Sequence, residues 1–237
     1  MEWVPMLKDM LQQGDFLTKI DLKDAYLSVP IWTPHQTLLR FEYQSAILEF
    51  PCLPFGLASA PRTFTKLLKP VVSQLQKRGV RLINYLDNIL IMSASKKIAI
   101  EHTDVTINLL SSLSFVVNKK KSVCNLSQEI EILMFLINSI IMYLFLRRDK
   151  IKCIKRDCHQ LLNIPHSTCL GSLCTDQVLL GKAVLFNSGS LSSRLHNHLL
   201  LRAKTVALRK SQSYEAILSL DQAAQQELVW WRYYLVA

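Results

Sequence analysis

Two aspartates stand at the ends of short apolar runs, Asp21 in KIDLKDAYLSVP and Asp87 in INYLDNILIM, where Asn88 follows it. An Asp-Asn pair between apolar runs reads, by itself, as a tight hairpin turn, because both residues favour turns. Carboxylates drawn together from positions this far apart do something else: they repel unless a cation sits between them. Oxygen donors of this kind suit Mg²⁺, with Mn²⁺ as an alternative, and Mg²⁺ completes its shell with water and substrate phosphates. Two such ions about 3.5–4 Å apart stabilise the attacking and leaving oxygens of an in-line phosphoryl displacement. That chemistry needs a fold that sets residue 21 beside residue 87.

The spacing predicts the elements. Trp3, Met6, Leu7, Met10 and Leu11 recur at helical intervals, and Gly14 can close that helix with a left-handed cap. Residues 16–22 read as a strand ending at Asp21, and residues 38–43 with 45–50 as a strand pair. After a loop over 51–60, Pro61 opens a long helix whose stripe is Phe64, Leu67, Leu68, Val71, Val72 and Leu75. Pro70 should kink it and Gly79 should end it. The Asp87 hairpin, a helix over about 96–113 and short strands up to Leu146 follow. Residues 132–146, ILMFLINSIIMYLFL, are nearly all apolar. Fifteen residues fall short of the about 20 that a membrane span needs, and Asn138-Ser139 marks the turn of a buried hairpin.

From Arg147 the pattern is helical, with breaks at 163–165 and 188–190. Leu218, Ser219 and Gln222 read as a staple and capping box opening a last helix through Trp230-Trp231. The fold class is therefore α+β. An antiparallel sheet backed by helices occupies residues 1–146, and a basic helical region occupies 147–237.

Half of the 237 residues are hydrophobic and 19% are charged, which argues against wholesale disorder. The net charge of +10 points to a polyanionic partner, nucleic acid or an acidic membrane surface. The excess is +3 over residues 1–146 and +7 over 147–237, so the C-terminal part is the better candidate for a backbone-binding surface. Six cysteines with no paired framework and no leader point to a reducing, intracellular setting, cytoplasm or nucleus. Cys158, His159, His166, Cys169 and Cys174 are spaced too widely for an ordinary zinc site.

Five segments then carry a resemblance. KIDLKDAYLSVP (19–30), LPFGLASAPRTFTKLL (53–68), YLDN (85–88), FVVNKKKS (115–122) and EILMFLI (131–137) resemble, in order and spacing, successive motifs of retroelement reverse transcriptases. LPFGLASAPRTF resembles the gypsy- and DIRS-type retrotransposon enzymes, and LLGK (179–182) with ELVWW (227–231) looks DIRS-like. The resemblance implies a ferredoxin-like polymerase palm followed by a thumb-like helical region. It implies an RNA-directed DNA polymerase, a nucleotidyltransferase that extends a primer on an RNA or DNA template with deoxynucleoside triphosphates.

By the same resemblance, Asp21 and Asp87 are the catalytic, metal-holding aspartates, with the Leu22 carbonyl as a further ligand. Asp24 and Ala25 would meet the triphosphate through their backbone. Tyr26 matches a steric gate against a 2′-hydroxyl, and Phe55 and Gly56 would line the pocket of the new base pair, where Gly56 lets the backbone approach closely. Lys121, with Lys119 and Lys120 as competitors, matches the lysine that protonates leaving pyrophosphate. Residues 132–146 match the primer grip. Arg147, Arg148, Lys150, Lys152, Lys155 and Arg156 would hold the nucleic-acid backbone at the entry to the thumb.

The chain also departs from the pattern. Asn88 stands where the family has Asp, a metal ligand without charge, so impaired catalysis is expected. Ser114 and Leu133-Met134 stand where glycine-containing pairs are usual. The fingers are missing before the first helix, and the sequence ends where a ribonuclease H domain would begin. It is thus expected to be a truncated copy or one piece of a polyprotein that supplies both. The alternative is a non-catalytic nucleic-acid-binding remnant or domesticated protein using the basic C-terminal half.

Overall fold

The computed structural model describes residues 3–133, 135–163, 198–211 and 220–234. In chain order its elements are α1 (Trp3–Met10), β1 (Phe16–Lys23), α2 (Thr33–Gln36), β2 (Arg40–Tyr43), β3 (Ala46–Glu49), α3 (Ala60–Lys77), β4 (Arg81–Tyr85), β5 (Asn88–Ser93) and α4 (Lys96–Ser112). There follow β6 (Val116–Val117), β7 (Val123–Ser127), β8 (Glu129–Ile132), β9 (Phe135–Asn138), β10 (Tyr143–Leu146), α5 (Arg148–Asn163), α6 (His198–Ser211) and α7 (Gln222–Tyr234).

The main sheet is antiparallel, in the order β4-β5-β1-β6, with β7 also paired to β1. Strand β1 is central and buries Leu17, Thr18, Ile20, Asp21 and Leu22, so both its faces are covered. Ile20, Leu22, Leu82, Ile89 and Ile91 from the strands meet Phe64, Leu68 and Leu75 of α3 and Leu110 of α4 in one core. Fully burying each such side chain contributes about 1.5–3 kcal/mol. Leu67 departs from the expected stripe: it lies at the edge of the apolar arc of α3 and is 45% exposed. Strands β2 and β3 form a separate ribbon in which every residue is exposed.

Helix ends show how local geometry was solved with and without glycine. At the end of α3, Gly79 adopts φ +83° while the Val80 N–H reaches the Leu75 carbonyl at 3.1 Å. At the end of α4 the Phe115 N–H reaches the Leu110 carbonyl at 3.0 Å in the same way, but the left-handed residue is Ser114, at φ +65°. A side chain there costs about 1 kcal/mol that glycine avoids.

A buried knot fixes the start of β1. Asp15 is 1% exposed, and the Arg81 guanidinium grips its two carboxylate oxygens at 2.6 and 3.0 Å while also donating to the Met10 carbonyl. Ser139, fully buried, donates its hydroxyl to the Asp15 carbonyl at 2.6 Å, and the Gln128 amide donates to the Gly14 carbonyl at 2.8 Å. Residues 129–146 supply a three-stranded sheet, β10-β9-β8. Asn138 begins its turn as expected, its Oδ1 accepting from the Ile140 and Ile141 N–H groups. The tip is not buried, however: Ile140, Ile141, Met142 and Tyr143 are each between 44% and 59% exposed. No described helix is long and apolar enough to cross a membrane.

The chain divides into two compact units, one built mainly of Met6–Ile132 with Ile137–Tyr143, the other mainly of residues from Leu144 onward. Within the second unit, Ile151, Ile154 and Cys158 of α5 and Leu228 and Trp231 of α7 are buried. The buried Glu227 carboxylate of α7 accepts the Leu199 and Leu200 N–H groups at the start of α6, where the helix dipole favours negative charge. Asp221 caps α7 by accepting from the Ala224 N–H at 2.8 Å. Leu218 and Ser219, the LLGK segment, the break at 188–190 and His166, Cys169 and Cys174 lie outside the described residues.

Ser114→Gly should raise unfolding stability in urea by about 0.5–1 kcal/mol, since it relieves a left-handed side chain while loosening the unfolded chain. Asp15→Ala should lower it by about 3 kcal/mol, because the Arg81 charge then loses its partner at the base of the sheet.

Candidate active site

The backbone of β1 alternates, and that alternation builds the site. Asp21 donates its N–H to the Ser122 hydroxyl (3.0 Å) and accepts from the Asn118 N–H (2.8 Å), so its own amide and carbonyl face the β6–β7 side. The next residue faces the other way: the Leu22 N–H donates to the Asp87 carbonyl at 2.8 Å. Asp21 and Asn88 are therefore a non-hydrogen-bonded pair in register, the kind whose side chains stand closest. Because N–H and C=O of one strand residue point to the same edge, the Leu22 carbonyl is turned toward Asp87.

The hairpin turn lies one residue earlier than the Asp-Asn pair suggests. Tyr85 pairs with Asn88, leaving Leu86 and Asp87 as the two-residue loop, and Asn88 is the first residue of β5. Leu86 takes φ +56°, the sign that a primed hairpin turn wants at its first loop position, at a cost of about 1–2 kcal/mol for a side chain. The Asn84 side chain braces the turn by donating to the Leu86 carbonyl. Asn88 turns its amide nitrogen onto Asp87 Oδ1 at 3.0 Å, so it holds the aspartate rather than offering an oxygen beside it.

Asp21, Leu22, Lys23, Asp24, Ala25, Tyr26, Phe55, Leu86, Asp87, Asn118 and Lys121 line one cavity of about 540 Å³. Asn88 and Gly56 lie outside this lining. Burial, and then the Asp87 charge, push the Asp21 carboxyl above its ordinary value, while Lys121, Lys19 and the Asn118 side chain pull it back. Tyr26 stacks at 5.2 Å from Phe55 and edge-on at 5.4 Å from the buried Phe64. Burial, Asp87 and Tyr85 raise its phenol. Asp24, at φ +49°, starts the short 3₁₀ turn Ala25–Ser28 that sets Tyr26. Gly56 is needed for its φ of +89° and not for close approach, because a Cβ there would meet nothing within 4 Å.

Of three consecutive lysines, only Lys121 reaches the cavity lining. Its turn is tied by Asn118, whose Oδ1 accepts from the Lys120 and Lys121 N–H groups at 3.2 and 3.3 Å. The donor set is all oxygen, two carboxylates and a carbonyl, which fits a hard divalent cation. Among the described residues no group of three or more His, Cys, Asp or Glu gathers as a metal cage, so water and substrate phosphate would have to complete the shell.

A family model for reverse transcriptase (RNA-dependent DNA polymerase) matches residues 5–137, more than half of the chain and all of this site. The chain belongs to the reverse transcriptase family. Curated relatives include the Transposon Tf2-7 and Tf2-3 polyproteins of Schizosaccharomyces pombe, 26% and 25% identical over 128 residues, or 53% of this chain and 10% of each polyprotein. The chain thus spans about a tenth of the length of those relatives, which are transposon proteins, in keeping with the retrotransposon type. Among solved structures, the foamy viral protease-reverse transcriptase in complex with double-stranded DNA aligns with TM-score 0.60 and 17% identity, over 97% of this chain and 37% of that one. The same protein with an RNA/DNA hybrid gives 0.60 and 17%, over 95% and 28%. These likenesses bear out the α+β reverse transcriptase fold.

The basic residues expected to touch nucleic acid belong to the second unit. Arg148, Lys152 and Arg156 are exposed on α5, Lys155 is half-buried on the same face, and Lys150 lies on another. Arg147 is clamped by both oxygens of Asp149, at 2.8 and 2.9 Å, and Arg156 lies 3.9 Å from Asp157. Sequence reasoning for the reverse transcriptase site missed Asn118 and Ser122. The signal was present in NKKKS, where an Asn three residues before a lysine is the pattern of a side-chain-tied turn.

In the metal-free protein, native Asp21 keeps its proton to higher pH than the unfolded chain does. Stability therefore falls as pH rises through the window above 3.8 and stays lowered at neutral pH. Asp21→Asn should raise the melting temperature at pH 7 in chelator, with the gain vanishing below pH 3.8, as thermal unfolding across pH will read.

Proposed function

We propose that this chain is the palm and thumb of an RNA-directed DNA polymerase, joining deoxynucleoside triphosphates to a primer 3′-OH by two-metal nucleotidyl transfer, with weakened catalysis. One observation carries the reading: Asp21, Asp87, Tyr26, Phe55 and Lys121, distant in sequence, line a single cavity. When bound there, Mg²⁺ or Mn²⁺ would activate the hydroxyl nucleophile and neutralise charge on the transferring phosphate.

Asp21, Asp87 and the Leu22 carbonyl would hold the cations, and the backbone at Asp24 and Ala25 would face the triphosphate. Tyr26, wedged between Phe55 and Phe64, would close the space that a 2′-hydroxyl needs, and Gly56 would shape the loop carrying Phe55. Lys121 would pass its proton to the departing pyrophosphate oxygen. Asn88 binds Asp87 but adds no charge, so cations are held less tightly than by a third carboxylate. In this reading residues 1–146 are the palm and 147–237 the thumb region, with 132–146 gripping the primer. Arg148, Lys152, Lys155 and Arg156 contact phosphates, Arg147 precedes them with Asp149 as its partner, and Lys150 adds charge from another face of α5. Fingers and ribonuclease H come from the rest of a longer intracellular polyprotein, in cytoplasm or nucleus. That the match occupies only 10% of the relatives' length supports that arrangement.

The amide at position 88 also favours a second reading, a nucleic-acid-binding remnant without turnover. Primer extension on an RNA template with Mg²⁺ or Mn²⁺ separates the two. Wild type should extend weakly, Asn88→Asp should gain about tenfold or more by restoring cation affinity, and Asp87→Ala should abolish product. Template binding with no extension by any variant overturns the catalytic reading and leaves the remnant.

A further inference from the structure

Between Glu49 and Asp87 the sequence contains no acidic residue at all, yet it holds Arg62, Lys66, Lys69, Lys77, Arg78 and Arg81. Charge summed over the N-terminal half conceals this, because the half is nearly balanced. Arg81 is consumed by the buried Asp15 pair. The other five are exposed, on or just after α3, and among the described residues none of them forms an ion pair.

Their placement on the helix is specific. At about 100° per residue, Arg62, Lys66, Lys69 and Lys77 fall within an arc of about 80°, and the row runs about 22 Å along the axis. Phe64, Leu68 and Leu75, the buried face, lie on the opposite side. A merely solvated helix face usually mixes signs, because opposite charges three or four residues apart support the helix. Here Arg62–Lys66 and Lys66–Lys69 stand at those intervals with like charge, each pair destabilising by about 0.2–0.5 kcal/mol. A surface that tolerates this repulsion is relieved when an extended polyanion lies along it.

We propose that the outer face of α3 is a second nucleic-acid contact, a track for a phosphate backbone separate from the cavity at Asp21 and from the α5 cations. The cations approach phosphates without reading bases, so the contact is indifferent to sequence. It is independent of turnover: a chain that never extends a primer would still bind through it.

The test is fluorescence anisotropy of the full chain with a labelled 30-nucleotide RNA and with a DNA duplex, across a salt series. Arg62→Gln/Lys66→Gln/Lys69→Gln should weaken binding at least tenfold at 0.1 M salt. The slope of log affinity against log salt should become shallower by about 2–3. The same triple variant should melt no lower than wild type, since repulsion is removed, a combination that misfolding cannot produce. The charge-preserving Arg62→Lys/Lys66→Arg/Lys69→Arg should bind as wild type does. Unchanged affinity and slope in the Gln variant overturn the proposal. So does an unchanged nucleic-acid curve coupled with lost binding to phosphatidylserine vesicles, which would assign the face to a membrane surface.

Discussion

Two carboxylates held at one end of a sheet, by a backbone that gives neither room to withdraw, are the constraint around which this molecule is arranged. The Leu22–Asp87 backbone bond locks the hairpin turn against β1, and Asp21 and Asp87 line one cavity. Burial and the Asp87 charge then raise the Asp21 carboxyl. A fold optimised only for stability would separate such groups. Here Lys121 and the Asn118 amide on one side and the Asn88 amide on the other temper the repulsion without removing it.

Much of that arrangement was legible in residue order. The strand ending at Asp21, the hairpin at Asp87 and the amphipathic α3 follow from period-two and helical spacing, which report burial directly. The motif order added what spacing lacks, which strands meet. Other features were hidden for physical reasons. The Asp15–Arg81 pair joins residues 66 apart, and no local pattern marks which two charges will be buried together. Glu227 at the start of α6 is invisible for the same reason. Leu67 shows that a residue at the margin of an apolar stripe is assigned by its neighbours and not by its type.

Backbone strain separates into two kinds. Asp24 and Leu86 hold left-handed geometry at the cavity, where the unusual backbone aims Tyr26 and exposes Asp87. Ser114 and Leu133 carry the same geometry away from it. The first pair has an evident use. Ser114 stands where a helix end ordinarily takes glycine, and among the described residues no hydrogen bond uses its side chain.

The knot at the base of β1 has a consequence for how the protein is made. Gly14 and Asp15, which lead into the first strand, complete their bonding only with Arg81, Gln128 and Ser139, so those partners leave the ribosome long after the strand does. While the nascent chain is short, β1 is an apolar segment with open edges, and the aspartate it carries has no second carboxylate to face. Emergence of residue 139, rather than translation of the motif itself, is the moment at which this half of the molecule can close.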